Sequence, residues 1–440
     1  MAVQTHTAPP PELELPATLH DDRHRFGTVD VPVVTTSASF RHDILQNFGE
    51  KAHLSGNEIV FSRAHYSMAV AVMRAAVESK LTTWLIDPLN YMTEKDWGKI
   101  SLVVKVGELA ARFPILKHVK DVFDTIVREK SPLTQAIKEQ LLYATARIDE
   151  KTIVSMHYET GNILARNGKR VLQVVTDPHV RPQYLYEAER PNITYAVFDQ
   201  DTKNEFLTKA GKSGKKVNPA KIVVTGPPVD PRIVGSRAKK TSGWLGTRPL
   251  RLAFTTGGLG QNKNELGQAL TCIAPKIKEG KIQVILYAST LPDFMKMYQE
   301  IAERYGIEVG KRIDDENAAL RIFYYSSIVD VNQALIDYVF PWSDGFITKP
   351  SGDMAYDAVA AGCFLLTLEP WGIWEKNIAK IFTSVGVSQE AKPRFLAAQL
   401  DDLIRSGWIE DAIKKALAID KLFLNGAKKV VDLQQKLTVE

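Results

Sequence analysis

Only two cysteines, Cys272 and Cys363, occur in 440 residues. They cannot build a disulfide framework, and they fit a reducing compartment. The longest apolar run, Ala358 to Leu368, is interrupted by Gly362 and Thr367 and falls short of the roughly 20 residues a membrane-crossing helix needs. The opening MAVQTHTAPPPELELP has no basic patch followed by an apolar core, so no secretory signal is expected. No His/Cys cluster offers a metal site, and no zinc-finger spacing, aromatic RNP motif or basic heptad region points to nucleic acid. These absences predict a cytoplasmic chain. What is present suits a globular one: 45% of the residues are hydrophobic, and at about 100–200 residues per domain the length suggests two to four units.

The net charge of +5 is unevenly placed. Between Lys203 and Arg251 stand 12 Lys and Arg against only Glu205 and Asp230, a local excess of +10. Such a block attracts phosphate groups or an anionic membrane surface, and a solvated loop and linker explains it equally well.

Residues 1–45, rich in Pro, Thr, His and Asp, show no sustained period and predict an extended N-terminal arm. From 46 to 235 strand-like runs alternate with helical patterns: 58–62, a helix over 65–80, 82–87, then 152–155, 171–175, 193–197 and 221–224. This rhythm predicts a parallel sheet covered by helices, with a helical insertion over 94–148. Pro and Gly interrupt every pattern from Gly226 to Pro231 and a basic stretch follows, so a linker is placed at 236–247. A second α/β unit spans 248–407, with strands at 251–255, 283–287, 319–323, 345–348 and 364–367, and helices close the chain at 408–440. The fold class expected is α/β, two doubly wound parallel-sheet domains.

In open parallel sheets ligands collect beyond the carboxyl ends of the strands, where helix N-termini offer free N–H groups. Two loops of the second unit meet that condition. Thr255-Thr-Gly-Gly-Leu-Gly-Gln-Asn262 follows a strand, and its glycines let a phosphate approach the backbone, though a plain tight connection reads the same way. Gly345-Phe-Ile-Thr-Lys-Pro-Ser-Gly-Asp-Met-Ala-Tyr-Asp357 reads as strand, polar turn and a helix carrying Asp353 and Asp357 in its first turns.

Lys349-Pro-Ser-Gly-Asp353, with Asp357 seven positions after Pro350 and Ala360-Ala-Gly362 beyond, resembles the donor-binding signature of GT-B glycosyltransferases. The stretch is similar to that of monogalactosyldiacylglycerol synthases and of the lipid-linked N-acetylglucosaminyltransferase of peptidoglycan synthesis. Thr152-Ile-Val-Ser-Met-His157, Val174-Val-Thr-Asp177 and Lys221-Ile-Val-Val-Thr-Gly-Pro-Pro-Val229 resemble the first domain of the galactolipid enzymes, in the same order. His65 keeps the family's position after the first strand, but Ser62, Arg63 and Ala64 stand where those relatives have glycines.

The resemblance implies two Rossmann-like domains facing a cleft, with acceptor on the first and nucleotide sugar on the second. It implies transfer of a sugar from a nucleotide diphosphate sugar, a UDP-sugar, to a lipid or small-molecule hydroxyl, with a sugar-nucleotide epimerase or an inactive binding protein as the alternatives. His65 suits the base, because an imidazole titrates near neutrality, or else it caps a helix locally. Arg63 and His157 lie on the acceptor side, where His157 binds acceptor or buttresses the site. Gly257, Gly258, Gly260, Ser351 and Gly352 would present N–H groups to the diphosphate, and Asp357, an acceptor-only carboxylate, would hold the ribose diol. Lys349 offsets phosphate charge or is a strand-end cap. The nucleobase is implied near Ile328, and the sugar near Glu369, Trp371, Glu375 and Asn377, where packing also accounts for the tryptophans. No cofactor and no metal are expected: Asp199-Gln-Asp201 spells a metal-binding Asp-x-Asp, but Asp201 reads better as a helix N-cap with Glu205 in the first turn. The amphipathic stretch 113–127 predicts a core-facing helix, to which the resemblance adds a peripheral contact with the inner face of a membrane.

Overall fold

The computed structural model describes residues 23–38, 62–91, 132–148, 150–240, 246–257 and 260–439. The expected strand at 58–62, apart from Ser62, most of the insertion and the amphipathic stretch 113–127 lie outside them. The chain divides into two units, one reaching to Pro231 and including Lys421–Glu440, the other Arg232–Asp420.

The first unit runs α1 (Arg23–Thr28), β1 (Val31–Val34), α2 (Arg63–Glu78), β2 (Thr83–Ile86), α3 (Pro132–Ala144), β3 (Ile153–Ser155), α4 (Tyr158–Arg166), β4 (Val171–Val174), β5 (Ile193–Val197), α5 (Gln200–Lys212) and β6 (Ile222–Val224). All six strands are parallel, in the order β2-β1-β3-β4-β5-β6. Their short apolar runs are buried on both faces, as expected of a sheet sandwiched by helices. On one face Ile86, Ile153, Val171 and Ile193 pack with Ile137 and Leu141 of α3 and Ile163 of α4. Helix α2 is rich in Ala, Val and Met and buries nearly all of its length from Tyr66 to Ala76.

The second unit runs α6 (Pro231–Ser236), β7 (Leu250–Thr255), α7 (Lys263–Lys278), β8 (Ile282–Ser289), α8 (Pro292–Tyr305), β9 (Leu320–Tyr324), α9 (Ile328–Ala334), β10 (Gly345–Thr348), α10 (Met354–Ala360), β11 (Phe364–Thr367), α11 (Ile373–Ser384), β12 (Ser388–Glu390), α12 (Leu396–Arg405) and α13 (Trp408–Leu417). Its parallel order is β12-β11-β10-β7-β8-β9. Leu252, Phe254, Val284, Leu286 and Ile347 pack against Leu266, Leu270 and Ile273 of α7. The chain then returns to the first unit as α14 (Gly426–Val439), where Gln434 Nε2 donates to Thr152 O at 2.9 Å and Asp30 O at 3.1 Å. Gly226, at φ +89°, makes this return possible: a Cβ there would lie 2.0 Å from the carbonyl of Leu422.

Four expectations are corrected. Residues 23–38 are not an extended arm: Val31–Val34 is an inner strand, paired with β2 and β3. Pro32, which reads as a breaker, is accommodated because β3 pairs only from Val33 onward. A further strand, β12, follows the last one expected; Ser-Gln-Glu at a sheet edge carries no apolar signal. The closing helices divide, α13 with the second unit and α14 with the first. The cap of α5 is Asp199, whose Oδ1 accepts from Thr202 N at 2.7 Å, and Asp201 lies inside the first turn. Glu205 instead accepts from Val180 N at 2.9 Å and pairs with His179 and Lys209; those partners hold its carboxyl down at about 2 against the upward push of burial.

Candidate functional site

In each sheet the strand order reverses at one place, and the crevice beyond the strand ends there is where α/β folds receive ligands. In the first unit the reversal lies between β1 and β3. His65 comes to it as the third residue of α2, whose N-cap Ser62 accepts from the His65 amide through its hydroxyl. His157 comes from the end of β3 and caps α4, its Nδ1 accepting from Glu159 N at 3.2 Å. The two imidazoles meet edge to face, ring centres 5.1 Å apart. Thr176, just beyond β4, lies with its hydroxyl 3.1 Å from His65 Nε2. Arg63 opens α2 with its side chain buried. His65 and His157 thus meet beside the ends of β3 and β4, with Thr176 against His65.

Two residues that no motif singled out complete this end of the sheet. Tyr184 places its phenol 3.3 Å from Thr176 Oγ1, and burial pushes that phenol up to about 12. Asp87, fully buried after β2, accepts from Ser37 N at 2.7 Å, Ala38 N at 3.1 Å and Ser37 Oγ at 3.0 Å, and from Leu89 N at 3.1 Å. It ties the loop after β1 to the end of β2. Burial pushes its carboxyl up to about 7, against the four donors that favour the ionised form. Thr176 lay within a recognised stretch, but nothing in sequence spacing indicates that its hydroxyl meets a histidine 111 positions earlier.

In the second unit the reversal lies between β7 and β10, and Thr255 and Thr348 end these strands side by side. Gly257 and Lys349 follow. Lys349 lies along the bare backbone of Gly257, so closely that a Cβ there would stand 2.3 Å from Lys349 Cε. Its ammonium bridges Gln261 Oε1 and Glu375 Oε1, both at 2.6 Å. Glu375, in the first turn of α11, accepts from Trp371 N through its other oxygen at 2.7 Å. One buried ion pair therefore joins the loops after β7, β10 and β11. Gly260 turns at φ +66° and donates to Gly257 O at 2.9 Å; Gly258 lies outside the described residues.

After β10, Ser351 Oγ donates to Asp353 Oδ1 at 2.8 Å, and Gly352, Asp353 and Asp357 are buried around the start of α10. Trp371 and Trp374 pack edge to face at 6.5 Å. Glu369 is exposed and Asn377 half-buried. Ile328 starts α9 after the edge strand β9, with β8 between that strand and β7. A shallow cleft of about 370 Å³ opens at the ends of β11 and β12, lined by Thr367, Leu368, Pro370, Lys380, Thr383 and Glu390; it adjoins the Trp371 loop but is one strand removed from the reversal. Among the described residues no group of three or more His, Cys, Asp or Glu is placed to hold a metal, and no helix is long and apolar enough to cross a membrane.

No family model matches the chain, and no curated protein matches it by sequence. Solved structures do match in shape. An α,α-trehalose 6-phosphate synthase from Burkholderia multivorans is 13% identical over 93% of this chain and 98% of its own, with a TM-score of 0.53. The UDP-GlcNAc 2-epimerase from Neisseria meningitidis, bound to UDP-GlcNAc, is 11% identical over 92% and 99%, with a TM-score of 0.50. The glycosyltransferase VinC, in complex with dTDP, is 12% identical over 93% and 100%, also at 0.50. At such identities the likeness shows the fold: two Rossmann-like units, the GT-B fold.

Proposed function

We propose that the chain transfers a sugar from a UDP-sugar to a hydroxyl acceptor without a metal. The observation that carries this reading is the bare backbone of Gly257 beside the Lys349 ammonium at the strand reversal of the second unit. Backbone N–H groups beside an ammonium suit a leaving diphosphate, which would share Lys349 with Glu375. In this reading Gly257, Gly258, Gly260, Ser351 and Gly352 serve the diphosphate, with Asp353 shaping their loop through Ser351. Asp357 takes the ribose diol and Ile328 borders the nucleobase. Glu369, Trp371, Glu375 and Asn377 border the sugar, Glu375 acting through the loops it ties together. The first unit supplies His65 as base, with Arg63 and His157 on the acceptor side. A lipid acceptor, a cytoplasmic location and a peripheral membrane contact belong to the same reading, supported by the resemblance to lipid-acceptor enzymes.

The solved UDP-GlcNAc 2-epimerase of this fold raises a second reading, sugar epimerisation. The first-unit crevice favours transfer, because two carboxylates among its described residues are committed: Asp87 accepts four hydrogen bonds and Asp177 lies 3.7 Å from Arg181. Calorimetry with UDP, followed by incubation with UDP-sugars with and without hydroxyl acceptors, tests both. Submillimolar UDP binding and acceptor-dependent release of UDP are expected. An epimerised nucleotide sugar formed without acceptor establishes the second reading, and no nucleotide binding at millimolar concentration overturns both.

A further inference from the structure

We propose that Thr176 and Tyr184 are positioning residues that fix the tautomer of His65, with its proton on Nδ1 and its lone pair on Nε2. The argument is an accounting of hydrogens in a buried chain. Thr176 and Tyr184 are 2% and 3% exposed, so both hydroxyls are shielded from bulk water. Thr176 N–H donates to Tyr184 Oη at 3.4 Å. The phenol proton of Tyr184 needs an acceptor in turn, and Thr176 Oγ1 stands 3.3 Å away. With the phenol donating to it, the threonine hydroxyl directs its own proton to His65 Nε2, 3.1 Å away on its other side.

A neutral imidazole that accepts at Nε2 carries its hydrogen on Nδ1. The opposite polarity, with His65 Nε2–H donating to Thr176 and Thr176 to Tyr184, would aim two donors at the phenol oxygen and leave its buried O–H without an acceptor within this chain of groups. His157 is set the other way: its Nδ1 accepts from Glu159 N at 3.2 Å, which puts its proton on Nε2. The two rings in edge-to-face contact are thus held in complementary tautomers by unrelated devices, a hydroxyl chain and a helix cap.

The consequence for catalysis rests on the transfer reading above. An acceptor hydroxyl that displaces the Thr176 donor meets a lone pair already on Nε2, so no tautomer exchange precedes proton transfer. The test begins with the tautomer itself, which needs no activity. Long-range ¹H–¹⁵N spectra of the full chain labelled at histidine, with His65→Gln to assign the resonance, are recorded above the imidazole titration. His65 is expected to show a protonated Nδ1 and a bare Nε2, and His157 the reverse. Thr176→Val and Tyr184→Phe should move His65 toward the Nε2–H form, while Thr176→Ser keeps the wild-type signature. A wild-type His65 protonated at Nε2, or a Thr176→Val spectrum like that of wild type, overturns the proposal. In the kinetic arm Thr176→Val should lower kcat by about tenfold, less than the roughly 10²–10⁴-fold lost with a base itself, at unchanged donor KM, and Thr176→Ser should restore it. If the spectra are as expected and no transfer occurs with any acceptor, the transfer reading fails and the tautomer assignment stands.

Discussion

Replacing Glu375 by alanine probes the tie between the three loops of the second unit. The Glu375 side chain is 1% exposed and that of Lys349 13%, so the pair is buried and the loss of one partner strands a charge. Breaking such pairs costs about 3–5 kcal/mol. Lys349 keeps its 2.6 Å bond to Gln261 and some solvent, which places the loss near the lower bound, about 3 kcal/mol. The amide of Trp371 also loses its acceptor, adding about 1 kcal/mol. At about 2–4 °C per kcal/mol for a unit of this size, the midpoint of the second unit should fall by about 8–16 °C. Removing both charges in Lys349→Met/Glu375→Leu should recover much of this, with a coupling of at least about 2 kcal/mol. Scanning calorimetry of the full chain supplies the measurement. A Glu375→Ala loss below about 1 kcal/mol, or strict additivity in the double variant, would place the pair with solvated surface pairs and refute the reasoning.

Asp357→Ala should weaken a ribonucleotide by about 1–3 kcal/mol, the usual cost of leaving hydrogen-bonding groups unpaired, and a 2′,3′-dideoxy analogue far less; equal losses by calorimetry remove the ribose role. His65→Ala should lower turnover by about 10²–10⁴-fold with nucleotide affinity little changed, whereas turnover equal to wild type makes the residue structural. Asp87, with a carboxyl at about 7 in the folded chain against 3.8 ordinarily, keeps a proton that the unfolded chain releases, so stability falls as pH rises through that window. Between pH 5 and 7 one such group removes about 2 kcal/mol; urea unfolding of Asp87→Asn should lack that contribution, and parallel pH profiles for variant and wild type would disprove it. Chelators should leave transfer intact, and loss of activity restored by Mg²⁺ or Mn²⁺ would overturn metal independence.

Much of the candidate site was legible because the signals are local. Strand, glycine turn and helix follow one another within a few residues at Gly257 and at Lys349–Asp357, and close backbone approach or φ > 0 selects glycine without reference to the rest of the chain. The β/α rhythm likewise announced the doubly wound sheets, since a strand buried on both faces must be apolar throughout. Two strands escaped. Val31–Val34 carries a proline that is harmless only where pairing with β3 has not begun, and Ser388–Glu390 is polar because it closes an edge.

By itself the sequence determined the fold class and the loops that end at the strand reversals, both consequences of period and turn chemistry. The tertiary structure alone decided which side chains meet: Lys349 with Glu375, His65 with Thr176 and His157, Asp87 with the loop after β1. Strand order sets these meetings, and strand order follows from how whole helices cover the sheet. A periodicity therefore predicts that a residue reaches the mouth of a sheet, while the partner waiting there, 26 positions away for Lys349 and 111 for His65, is chosen by packing.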